Sequence, residues 1–172
     1  KKIALLSPIV VTSVSKFRQE GFLHALKYEN NNSYEPFFIE IKRYEEFKRE
    51  LQSAIKKNNI DGLLATDAFS AYCALNCIIE MGLRVPMDIS VIGFADGEMP
   101  KYSYPTLTTI SQNPSELGKR AFTELMARIK GVPSKDFDYY HSKVKSKLFV
   151  RNSTRRINKR RMQKFYDFDI SG

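Results

Sequence analysis

The 172-residue chain is 42% apolar and carries a formal net charge of +9. Such a length and apolar content can bury one sizeable core, and no apolar stretch approaches the roughly 20 residues of a bilayer-spanning helix, so such a span is excluded. Ten positive residues and no acid lie between Lys143 and Lys164, which leaves the rest of the chain near neutral, so the basicity describes a C-terminal tail and not a nucleic-acid-binding globule.

Lys1 and Lys2 precede the apolar run Ile3–Leu6, but Pro8 and the polar Thr12-Ser13 interrupt it, so the segment reads as a strand and not as a signal peptide. The absence of an initiator Met raises the expectation of a fragment of a longer chain. Val14, Phe17, Phe22, Leu23 and Leu26 recur at helical spacing up to Tyr28, and Asn30-Asn31-Asn32-Ser33 breaks the pattern. Pro36–Ile41 reads as a strand, and Tyr44, Phe47, Leu51 and Ile55 as the face of the helix that follows. Ile60–Ala65 is a third strand and Phe69–Met81 its helix, closed by Gly82 in the usual C-terminal position. Ile89–Phe94, β-branched and almost wholly apolar, fits a parallel strand covered on both faces. Strand and helix alternate, which predicts an α/β fold with a doubly wound parallel sheet and right-handed crossovers.

After Phe94 the rhythm breaks into an irregular stretch marked by Gly97, Pro100 and Pro105, followed by a strand at Leu107–Ile110. Pro114-Ser115-Glu116 opens a helix to about Lys130, with Pro in its first turn and an acid near its N-terminus. A polar connector leads to a last short strand at Leu148–Val150, and the chain beyond Arg155 is expected to be a loosely held extension.

Catalytic signatures are missing. No dinucleotide-binding or phosphate-binding glycine motif, nucleophile elbow or zinc-protease motif occurs, and the two histidines, His24 and His141, stand far apart. Cys73 and Cys77 share one helix face inside an apolar stretch, which suits small buried hydrophobes better than metal ligands. No cofactor, metal site or chemical step is expected. Asp61, Asp67, Asp88 and Asp96 lie near strand ends, where open α/β sheets collect ligands, and Asp67 also fits a helix N-cap.

Several stretches carry a family resemblance. Asp61–Asp67 and Ala71–Met81 lead into GLRVPMDISVIGF at Gly82–Phe94, and YPTLTTISQNPSELGKRA runs from Tyr104 to Ala121. Arg18-Gln19-Glu20-Gly21-Phe22 and Phe149-Val150-Arg151-Asn152-Ser153-Thr154 supply further motifs near the two ends. Together they resemble the effector domain of LacI/GalR-type bacterial transcription regulators, over about Lys2 to Thr154. The resemblance implies a periplasmic-binding-protein-like (type I) fold of two hinged lobes, of which this chain holds mainly the second. Residues 1–106 and 145–154 would form that lobe, 107–131 the crossover strand and helix of the first lobe, and 155–172 the basic tail.

It also implies a small-molecule effector, a sugar, sugar derivative or nucleoside-like compound, held between the lobes. Arg18 matches the family's ligand-clamping arginine, and a guanidinium fork suits hydroxyls or a carboxylate. Thr12 matches another contacting position, and Thr66 stands where many relatives carry Asn. Relatives usually place an acid at the position of Ala95, so either Asp96 substitutes or the effector is not an ordinary monosaccharide. The family homodimer surface falls on Ala71, Ala74, Leu75 and Ile78 of the apolar helix, with Met99 and Tyr102 nearby. The expectation is a cytoplasmic, non-enzymatic regulator whose operator DNA is bound by a helix-turn-helix head absent from this chain. The alternative is a periplasmic sugar-binding protein feeding a transporter.

Overall fold

The computed structural model describes residues 1–8, 13–28, 34–94, 96–131 and 143–155. The chain alternates β1 (Lys2–Pro8), α1 (Ser13–Tyr28), β2 (Glu35–Ile41), a single 3-10 turn at Tyr44–Glu46, α2 (Phe47–Asn58), β3 (Ile60–Ala65), α3 (Ala68–Glu80) and β4 (Ser90–Phe94). Then come α4 (Glu98–Tyr102), β5 (Thr108–Ser111), α5 (Pro114–Ile129) and β6 (Lys147–Phe149). Local chemistry sets the boundaries. Asp67 caps α3 by accepting a hydrogen bond from the Ser70 amide at 2.8 Å. Asn59 ends α2 at φ 49° and Gly82 follows α3 at φ 75°, left-handed conformations that Asn and Gly adopt most readily.

The six strands form one sheet in the order β2-β1-β3-β4-β5-β6, parallel except for β6, which runs antiparallel to β5. Strand order reverses at β1, so right-handed crossovers put α1 on one face and α2 and α3 on the other. Side-chain alternation divides β1 accordingly. Ala4 and Leu6 join the main core with Leu51 and Ile55 of α2 and Leu75 and Ile78 of α3. Leu5 is buried outside that cluster, and on α1 Phe22 is buried with its ring edge-on to Phe38 at 6.0 Å. Among the described residues no helix is long and apolar enough to cross a membrane.

The structure corrects the sequence reading in three places. Glu98–Tyr102, taken as irregular, is a short helix. Gly97 precedes it in extended backbone, and Pro100 sits near its start, where proline lacks no intrahelical hydrogen bond. The strand assigned to a crossover out of the lobe pairs in parallel with β4, so the expected boundary at 106/107 falls inside one sheet, whose hydrogen-bond ladder continues through it. Helix α5 behaves differently: none of its residues is buried, and Leu125 and Ile129 expose 55% and 67% of their surface.

The third correction concerns the surface expected to meet a second copy. Ala71, Ala74, Leu75 and Ile78 have no exposed surface in the single chain, so they form the face of α3 that packs on the sheet and cannot make a contact between chains. The outward face carries Phe69, Tyr72, Asn76 and Ile79. Met99 and Tyr102 are exposed, as a contact surface requires, on α4, which adjoins α3.

Helix α3 approaches the sheet closely at Gly93, where an added Cβ would stand 2.6 Å from Cβ of Ala71. A Gly93→Ala variant must push α3 off β4 and is expected to lose about 1 to 3 kcal/mol of stability. Gly62→Ala, whose nearest neighbour would be 3.9 Å away, serves as the tolerated control in the same urea titration.

Candidate functional site

Parallel strands β1, β3 and β4 lie side by side, so the segments leaving their carboxyl ends share one edge of the sheet. The reversal of strand order at β1 opens a crevice there, the usual ligand position in open α/β sheets. Arg18, near the start of α1, reaches across this edge. Its Nη1 donates to the backbone carbonyl of Thr66 at 2.6 Å, and its guanidinium lies 4.3 Å from the centre of the Phe94 ring. Burial pushes Arg18 below its ordinary pKa, and the nearby charge of Asp67 offsets this only in part.

The other expected residues are placed as follows. Thr66 is buried and offers Arg18 its carbonyl, while its amide is tied to Leu6 O at 3.0 Å. Asp96 lies two residues past β4, but its carboxylate is occupied: Oδ1 accepts from Thr109 Oγ1 at 2.8 Å and from Arg151 Nη2 at 2.9 Å. Thr12 and Ala95 lie outside the described residues. Asp61 and Asp88 sit at the amino-terminal ends of β3 and β4, away from the crevice. Asp61 accepts from the Lys2 amide, and Asp88 is paired with Arg84, whose hydrogen bonds hold its carboxyl at about 2.

Two aromatic residues not singled out as site residues stand at the same edge. Tyr44 follows β2 and Phe69 opens α3, and their rings meet edge-on at 5.7 Å. Both are about half exposed. They begin a groove of about 470 Å³ between α2 and α3 whose lining includes Phe47, Cys73 and Cys77. Sequence periodicity assigned Tyr44 to a helix face. Its position just after a strand's carboxyl end was the available signal. Burial raises the pKa of both thiols, the opposite of what a nucleophilic cysteine needs. Among the described residues no group of His, Cys, Asp or Glu side chains is assembled to hold a metal ion.

Arg151 binds the edge to the chain's last described segment. Its Nη1 donates to Leu107 O at 2.7 Å and Thr109 Oγ1 at 2.8 Å while Nη2 holds Asp96. Both members of the ion pair are largely buried, with side-chain exposures of 16% and 15%. Burial disfavours the Asp96 carboxylate, yet hydrogen bonds from Thr109 and Arg151 outweigh it and keep the pKa below the ordinary carboxylate value. Two residues on, Ser153 Oγ accepts from Thr108 N at 2.8 Å and donates to Val91 O at 2.6 Å, so β4 and β5 are stapled by one hydroxyl.

Breaking the ion pair leaves a buried charge, so Arg151→Ala is expected to cost roughly 3 kcal/mol. A double-mutant cycle with Asp96→Ala should return a coupling of at least about 1 kcal/mol in denaturant unfolding. Because the Asp96 pKa is lower in the folded state, its stabilisation is present above the unfolded value near 3.9 and is lost as pH falls through the folded value. The stability gap between wild type and Asp96→Asn should therefore narrow as the medium is acidified below about pH 4.

Comparison with known proteins adds three findings. The family model for a periplasmic binding protein-like domain matches residues 1–154. The HTH-type transcriptional repressor PurR from Mannheimia succiniciproducens is 30% identical over 167 residues, covering 91% of this chain and 47% of the relative, and PurR from Vibrio vulnificus is 42% identical over 79 residues, 46% of this chain and 23% of the relative. The crystal structure of a LacI family transcriptional regulator from Enterococcus faecium with bound ribose superposes with a TM-score of 0.76 at 25% identity, covering 91% of this chain and 57% of that one. The chain thus spans less than half the length of those curated relatives.

Proposed function

Because the chain belongs to the periplasmic binding protein-like family and its relatives are LacI-type repressors, we propose that it is the effector-sensing half of a bacterial transcription regulator acting in the cytoplasm. The observation that carries this reading is the half-buried Arg18 guanidinium, set on Phe94 and the Thr66 carbonyl at the carboxyl edge of the sheet. A small sugar-like effector would meet Arg18 there, with Tyr44 and Phe69 as an aromatic wall. Binding would shift the population between two orientations of this lobe and its counterpart, with no chemical step. In the whole protein that shift would reset operator affinity through a separate DNA-binding head.

Two surfaces fit this scheme. The exposed apolar side of α5, with Leu117, Leu125 and Ile129, suits packing against the other lobe. A second copy would dock on the outward face of α3 and the adjoining α4, where Tyr72, Ile79, Met99 and Tyr102 replace the inward stripe expected from sequence.

The test pairs two measurements. Thermal-shift screening against ribose and other monosaccharides, sugar derivatives and nucleosides should find a stabilising compound, and Arg18→Ala should abolish the shift. An Arg18→Ala protein that is stabilised as strongly as wild type overturns the site. Analytical ultracentrifugation should give a dimer for wild type and a monomer for Ile79→Glu combined with Tyr102→Glu. A dimer that survives both charges lies elsewhere.

A further inference from the structure

Among the described residues, two of the ten cations between Lys143 and Lys164 have side chains tied to the fold. Arg151 is committed to Asp96, Thr109 and the Leu107 carbonyl, and Arg155 donates to the backbone carbonyls of Pro86 and Met87. These contacts set the course of the segment. Lys147 pairs with Ser111 at the carboxyl end of β5, and Ser153 bonds the starts of β4 and β5. Residues 143–155 therefore run along the outer edge of the sheet and then past the amino ends of β5 and β4.

Lys143, Lys145 and Lys147 on this path are exposed and form no ion pair among the described residues. Three acids border the path, and each already holds an arginine: Glu116 pairs with Arg120, which also donates to the Lys143 carbonyl, Asp96 with Arg151, and Asp88 with Arg84. Arg156, Lys159, Arg160, Arg161 and Lys164 continue the same sign and lie outside the described residues. Leaving out Arg151 and Arg155, eight cations are available to a partner. Like charges at this density repel one another, and a polyanion relieves the repulsion while releasing its own condensed counterions.

We propose that residues 143–164 are a contact strip for the phosphate backbone of double-stranded DNA, one that binds independently of base sequence. The inference takes from the regulator reading above only that the protein works on DNA, and it makes no use of the effector crevice. Ammonium groups and guanidinium forks both suit phosphate oxygens, and the forks bind two at once. A lipid surface fits less well. Between Arg155 and Lys164 only Ile157 and Met162 are apolar, too few for the buried face of an interfacial helix. The aromatic residues that follow, Phe165, Tyr166 and Phe168, are interleaved with Asp167 and Asp169, which an anionic membrane repels.

Fluorescence anisotropy of a labelled DNA duplex of random sequence, titrated with the 172-residue chain over a range of sodium chloride concentrations, tests the strip. Binding is expected, with a log–log salt slope of about −0.9 for each phosphate neutralised. Arg156→Gln, Lys159→Gln, Arg160→Gln, Arg161→Gln and Lys164→Gln combined should weaken binding at least about tenfold and flatten the slope by about 4. Lys143→Gln, Lys145→Gln and Lys147→Gln combined should flatten it by about 2 to 3. The control removes five charges from exposed lysines elsewhere, with Lys16→Gln, Lys27→Gln, Lys42→Gln, Lys56→Gln and Lys57→Gln, and should weaken binding less than about threefold. A control that loses as much as the matching five-residue variant reduces the effect to net charge and overturns the strip. Absence of duplex binding at low salt overturns it too, as does tighter binding to structured RNA or to phosphatidylserine vesicles. Where a variant melts differently from wild type, the wild-type salt slope and the preference for duplex over vesicles and RNA decide alone. All of these outcomes leave the effector site at Arg18 standing, because its test is a separate thermal shift.

Discussion

Arg18 reaches the Thr66 carbonyl and the Phe94 ring only because β1, β3 and β4 run side by side in the same direction, with their carboxyl ends level. Their register is fixed by pairings such as Leu6 with Ala65 and Ala65 with Gly93. A slip of one residue would turn Ala4 and Leu6 out of the core and carry the chain ends past one another. The core therefore does more than stabilise. By burying alternate residues of β1 against α2 and α3, it fixes where the three strands end relative to one another. Gly93 tightens the same constraint, since its missing side chain lets α3 sit close on β4 and brings the start of that helix, with Phe69 and the Asp67 cap, to the crevice.

The segment from Arg151 to Thr154 is a second constraint, built from hydrogen bonds where the first is built from apolar contact. Ser153 is fully buried and satisfies donors and acceptors from β4, β5 and the turn at Thr106. Arg151 gathers β5 and the loop after β4 into one charged cluster. Burying such a cluster stabilises little by itself, because desolvation offsets much of the attraction. What it supplies is geometry. Arg151, two residues after β6, ties β5 through Leu107 and Thr109 to Asp96 beyond β4, so the two edges of this part of the sheet are held in one cluster.

Much of this was legible in the chain. Alternating periods gave the order of strands and helices, and the Asp67 cap was visible as an acid ahead of a helical run. Other features were not. Between Ala71 and Ile79 every residue except Asn76 is apolar, so the pattern carries no information about which stripe faces the sheet, and the inward one was taken as the outward one. Helix α4 hides behind Gly97 and Pro100 because five residues are too few to establish a period. The commitment of Asp96 to Arg151 spans 55 residues and depends on how β6 returns to the sheet, which no local pattern encodes. Asp61 and Asp88 show the same limit from another side: nearness to a strand end does not say which end.

The site differs from a sugar pocket lined with free carboxylates in where its charges are held. Pairing Asp96 with Arg151 neutralises an acid at the crevice and uses it as scaffold, while the partly desolvated Arg18 meets the Thr66 carbonyl and the Phe94 ring. An arginine in that state is held by the aromatic ring and a single carbonyl, both weaker partners than an anion. A partly desolvated guanidinium with weak partners is a group whose interaction free energy a bound molecule can change, and only such a difference between states moves a conformational equilibrium.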